Sequence, residues 1–212
     1  MTYILLIRFW SRDFESYVTC CLANVFNVTY GAVSRSALEP AGIDLSSFGI
    51  VVWQASNSDR AFYENEVAKL EDYLDGGGNL FITGQNIGAD IFGTSGQSQF
   101  AQDFYHNYLH TDFVADVSNL FLIKGVSGDI ISDGVQYVTN SVYNRSLDKI
   151  APRDTTATSF LTYFNGPDVA GVRSAADNYR VVYMVTGLEQ ITEQEISCLL
   201  YTSEAADKRS RE

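Results

Sequence analysis

The 212-residue chain carries 26 acidic against 14 basic residues, a formal charge of −12. Such a surface repels a phosphate backbone over most of its area, which excludes a nucleic-acid partner. A composition 46% hydrophobic and 19% charged describes a folded globular protein rather than a disordered one. No apolar run reaches the roughly 18 residues of a membrane helix, so no membrane role is expected.

In chain order, Tyr3 to Phe9 reads as an apolar strand that starts almost at Met1. The expectation is a chain extending upstream, where any export signal would lie. Asp13 to Phe26 follows as a helix, with Phe14, Tyr17, Val18, Cys21, Leu22 and Val25 at steps of three and four. Val28 to Val33 is a second strand. Gly49 to Ala55 is a third, too continuously apolar to have a wet face. Phe62 to Asp75 is an amphipathic helix carrying Tyr63, Val67, Leu70 and Leu74, and the glycines of "DGGGN" suit its end. Residues 79–83 form the fourth strand. The stretch "QFAQDFYHNYLH" is a further helix, and residues 113–175 read as short strands and turns. Tyr179 to Thr186 is a strong late strand, and Thr192 to Leu200 begins a closing helix.

This alternation predicts a parallel sheet with helices on both faces, containing residues 3–9, 28–33, 49–55, 79–83 and, late, 179–186. One domain over residues 1–202 is the simplest organisation. From Ser203 onward no apolar period could pack, so 203–212 reads as a non-native or disordered tail. Cys20, Cys21 and Cys198 give neither a disulfide framework nor zinc spacing.

In such sheets the ligand crevice lies beyond the carboxyl ends of the strands. There the sequence places "GQNIG", Gly84 to Gly88, in the glycine–any–nucleophile–any–glycine frame of a strand-to-helix elbow. The nucleophile position holds Asn86, which cannot attack a carbonyl. Asn tolerates the left-handed backbone that an elbow imposes, so the frame predicts elbow geometry without a nucleophile.

The segments "DFESYVTCCL", "FGIVVWQ", "LEDYLDGGGNLFITGQNIGADI", "FYHNYLHTDFVAD", "GVSGDIISDG" and "YRVVYMVTGLE", in that order, resemble class I glutamine-amidotransferase-like domains embedded in large secreted bacterial proteins, often beside peptidase domains. The resemblance covers most of residues 3–200 and is most specific over Leu70 to Ile91. It implies a flavodoxin-like three-layer α/β sandwich with a mostly parallel sheet. It also implies an extracellular or cell-surface location within a longer chain. Amidotransferases use a cysteine at the elbow and a late histidine and acid. Here the elbow holds Asn86, no histidine follows His110, and only Glu189 falls where the acid would be. The triad does not carry over.

The remaining constellations read as structure. His106 and His110, four apart, could ligate zinc with a carboxylate from Asp103, Asp112 or Asp116, but they lack the metalloprotease glutamate. Asp129 and Asp133 sit among turn glycines without the oxygen spacing of a calcium loop. Trp10, Trp53 and Tyr63 fall near loop ends. Gly93 to Gly96 lacks the lysine of a phosphate loop. No cofactor and no metal is expected. The leading expectation is a non-catalytic binding or structural module of a larger exported protein. Its candidate crevice comprises Asn57, Gln85, Asn86 and His110, for a small ligand or a neighbouring domain of the same chain. The alternative is a hydrolase, with or without metal, using His106, His110 and nearby carboxylates.

Overall fold

A computed structural model describes residues 2–8, 28–56, 60–93, 98–117, 120–139, 146–176 and 178–191. The helix expected over 13–26, the closing helix over 192–200, the tail and Asn57 lie outside them. The first strands follow the apolar runs: β1 (Thr2–Arg8), β2 (Val28–Ser34), β3 (Ile50–Ser56) and, after the helix α1 (Glu64–Asp75), β4 (Asn79–Gly84). Two helices come next, α2 (Ile87–Phe92) and α3 (Gln99–Asn107). Then come β5 (Thr111–Val117), β6 (Leu122–Gly125), β7 (Gln136–Val138), β8 (Leu147–Pro152), β9 (Ala157–Tyr163), β10 (Val169–Ala175) and β11 (Arg180–Met184).

One mixed sheet joins them in the order β2-β1-β3-β4-β11-β10-β9-β6-β7, with β8 pairing β10 and β5. The run β2-β1-β3-β4-β11 is parallel throughout, and β11 enters it beside β4 from the far end of the chain. These are the five strands expected to form the parallel sheet. Val51, Val52, Trp53, Leu80, Ile82 and Tyr183 are fully buried, because a parallel strand covered on both faces has no wet side.

The expectation of a mostly parallel sheet is corrected. Every pairing beyond β11 is antiparallel, and these ladders outnumber the parallel ones. What read as short strands and turns over 113–175 is a second, antiparallel half of the same sheet. Its strands bury only part of each side chain set, as in β5, so no continuous apolar run marks them. Bulges between Phe113 and Ala115 and around Gly171 also break their two-residue period.

Local chemistry sets the helix ends. α1 starts two residues later than its apolar pattern suggests, because Glu66 folds back to accept from the Tyr63 amide at 2.7 Å. It stops where Gly77 adopts φ 88°. Among the described residues no helix is long and apolar enough to cross a membrane.

Candidate functional site

The strand-to-helix elbow is present. β4 runs into Gly84, at φ 155°, and Asn86 takes φ 59° and ψ 22° before α2 begins at Ile87. This left-handed conformation costs an ordinary side chain roughly 1–2 kcal/mol and costs Asn less. Gly88 is required by space. A Cβ there would stand 2.6 Å from Phe113 Cδ2 and 3.1 Å from both Asp148 Oδ2 and the Tyr105 hydroxyl. Two first-turn amides of α2 are already taken: Gly88 N donates to Asp148 Oδ2 at 2.7 Å and Ala89 N to Oδ1 at 3.2 Å. Asn86 is half-buried, and its Oδ1 accepts from Ser146 Oγ at 3.4 Å.

Around the elbow, the carboxyl ends of β3, β4 and β11 carry a buried polar layer. Gln54 Nε2 donates to Glu189 Oε2 at 3.0 Å. Thr83 Oγ1 donates to the Thr186 carbonyl at 2.6 Å, and the Thr186 hydroxyl meets the Tyr137 hydroxyl at 3.0 Å. Gln190 donates to Gln85 Oε1 at 3.2 Å and accepts from the Gly187 amide at 2.7 Å. Gln54, Gln85 and Gln190 are all nearly fully buried. Burial pushes the Tyr137 hydroxyl above its ordinary range, so it is no base. These amides and hydroxyls, with the Glu189 carboxylate, hold one another.

The loop after β3 is clasped from the side. Arg35, just beyond β2, forms a two-pronged ion pair with Glu66 and donates to the Arg60 carbonyl at 2.8 Å. Its guanidinium lies 4.4 Å from the centre of the Tyr63 ring, and Asp90 of α2 accepts from the Ala61 amide at 2.7 Å. The Arg35 and Glu66 side chains are only 10% and 7% exposed, so this pair works in a low dielectric.

The histidines separate. α3 ends at Asn107, and His110 turns to φ 49° beyond it. His110 Nδ1 meets Asp154 Oδ2 at 2.7 Å and Nε2 meets the Tyr179 hydroxyl at 2.9 Å. Tyr179 immediately precedes β11, so His110 stands at the amino edge of the sheet, opposite Asn86. His106 faces Asp112 at 3.6 Å and packs on Phe92, and burial, then Arg153, lowers its pKa. The two imidazoles therefore serve different carboxylates, and no metal-holding cluster forms among the described residues. Asp129, weighed as a calcium ligand, accepts from the Ile131 and Ser132 amides and from Arg173 Nε at 2.8 Å, which is turn chemistry.

Gln85 and Asn86 thus lie together at the elbow, and His110 lies at the opposite edge of the sheet. Sequence reasoning did not reach Gln54, Arg35, Glu66 or Asp148. Gln54 left a trace, as a glutamine at the end of an apolar run. Asp148 and Arg35 left none, because their partners are distant in sequence.

No family model and no curated protein matches the chain. Solved structures do match in shape. A cytoplasmic protein of Salmonella typhimurium superposes with a TM-score of 0.61 at 12% identity, over 97% of this chain and 99% of that one. An exo-β-1,4-mannosidase of an Opitutaceae bacterium gives 0.57 at 12% identity, over 98% of this chain but 33% of that one. A glutamine amidotransferase of Thermotoga maritima gives 0.52 at 12% identity, over 100% and 86%. At these identities the likeness is one of fold: a mixed α/β protein with a large central sheet and an amidotransferase as a distant neighbour.

Proposed function

We propose that this chain is a non-catalytic binding or structural module of a larger exported bacterial protein. The observation that carries this reading is Asn86, held in elbow geometry beside a polar layer whose amides and hydroxyls bond to one another. An amide side chain can donate and accept but not attack. The mannosidase supports the modular part of the proposal, since this fold accounts for about a third of that chain. The exported, multidomain setting and the amidotransferase-like ancestry rest on the resemblance of the Leu70 to Ile91 block.

The test is the coding sequence on either side of this segment. An in-frame continuation carrying an export signal and a further domain is the expected result. A start codon at Met1 without a leader, together with a stop immediately after the segment, would refute the modular reading.

A further inference from the structure

The one asparagine–glycine pair of the sequence, Asn165-Gly166, lies at the tip of the hairpin between β9 and β10. Tyr163 N donates to the Asp168 carbonyl at 2.8 Å and closes the loop over residues 164–167. Asn165 is exposed, and among the described residues its side chain makes no hydrogen bond. The Gly166 amide nitrogen beside it is held only by the Tyr163 carbonyl at 3.4 Å, at the outer limit of a hydrogen bond. Gly166 has no Cβ to hinder that nitrogen. The backbone there is also uncrowded, since an added Cβ would find nothing nearer than Asp168 N at 4.0 Å.

Asn79, Asn86 and Asn178 lack this combination. Asn79 donates to the Gly49 carbonyl at 3.0 Å, and the next residue, Leu80, is laddered between β3 and β11. Asn178 donates to the Asp75 carbonyl at 2.8 Å and precedes the buried Tyr179. Asn86 accepts from Ser146 and precedes the β-branched Ile87.

We propose that Asn165 is a site of spontaneous covalent modification, where attack by the Gly166 amide nitrogen converts the asparagine to aspartate and isoaspartate. Both reacting groups belong to one short stretch of backbone, so the attack closes a five-membered ring without a partner molecule. Solvent base takes the Gly166 N–H proton, the nitrogen bonds to Asn165 Cγ, and the Cγ–Nδ2 bond breaks to release ammonia. Water then opens the ring on either side of the shared nitrogen. Opening at Cγ gives aspartate, and opening at the backbone carbonyl gives isoaspartate, with the chain rerouted through the side chain. One water is consumed and one ammonia released, with no change of oxidation state. Either product puts a new carboxylate close in sequence to Asp168, the partner of Lys149. Isoaspartate also adds a methylene to the loop backbone, which loosens the closure between Tyr163 and Asp168. The modification proceeds whether or not the elbow binds a ligand.

The experiment incubates the folded full chain in mildly alkaline buffer and maps its tryptic peptides by mass. Cleavage after Arg153 and Arg173 yields a peptide in which Asn165 is the sole amide side chain. That peptide should gain the mass of an amide-to-acid exchange and split into aspartate and isoaspartate forms, while Asn79 and Asn178 stay unchanged. Conversion should accelerate with pH, and Gly166→Ala, for which the backbone has room, should slow it several-fold. Should that variant fail to fold, incubating the parent in heavy-oxygen water replaces it, and labelled oxygen should enter at Asn165. Asn165 intact in the folded chain but converted in denaturant, an equal rate in Gly166→Ala, or no label at Asn165 would overturn the proposal.

Discussion

The parallel and antiparallel halves of this sheet bury their polar groups in different ways. In the parallel half, β1, β3, β4 and β11 are apolar on both faces, and their polar side chains gather at the carboxyl ends. In the antiparallel half, polar and apolar residues alternate and ion pairs such as Lys149–Asp168 lie in partial contact with water, while Asp148 and the Asp129 member of the Arg173 pair are buried. The elbow sits on the seam between them. Its frame comes from β4, and its packing partners Phe113, Asp148 and Ser146 come from β5 and the start of β8. The candidate crevice is therefore an edge of the parallel half, backed by the antiparallel half.

The sharpest way to break this comparison is to treat the ion pairs of the two halves alike. Glu66→Ala strands the Arg35 charge in a nearly dry setting and removes the cap on α1. It should cost about 3–5 kcal/mol in chemical denaturation, and a loss below about 1 kcal/mol would make the pair an ordinary surface contact.

At the seam, Gly88→Ala should cost about 1–3 kcal/mol by driving a methyl into Phe113. Phe113→Leu should recover part of that loss in a double-mutant cycle, whereas strict additivity would mean that the two sites do not touch. At the elbow itself, Asn86→Ala should lose about 1 kcal/mol, while Asn86→Gly stays within a few tenths. An Ala variant as stable as the parent would show that the left-handed turn imposes no cost. The smallest effect belongs to the antiparallel half. Lys149→Ala breaks a pair whose side chains are 24% and 40% exposed, and should cost less than about 1 kcal/mol.

The same contrast explains what could be read from the residues. Strands covered on both faces write continuous apolar runs such as "GIVVWQA", so the parallel half was legible, down to the late arrival of β11. Strands β5 to β10 write an alternation interrupted by bulges, which resembles turns. The elbow was legible because two glycines and an asparagine are required locally by backbone and space. Gln54–Glu189 and Gly88–Asp148 were not, because their members lie 135 and 60 positions apart. His106 and His110 suggested a shared helix face, but α3 ends between them and His110 turns away.

The central claim is that the elbow keeps its geometry without its chemistry. Its most direct test is hydrolysis of glutamine and of a simple aryl ester by the purified chain, alongside Asn86→Ala, His106→Ala and His110→Ala. The account predicts no turnover above buffer for the parent and no change in any variant. Turnover by the parent that vanishes in Asn86→Ala, with the fold intact, would show a working site at the elbow, and loss in a histidine variant would point to the hydrolase alternative.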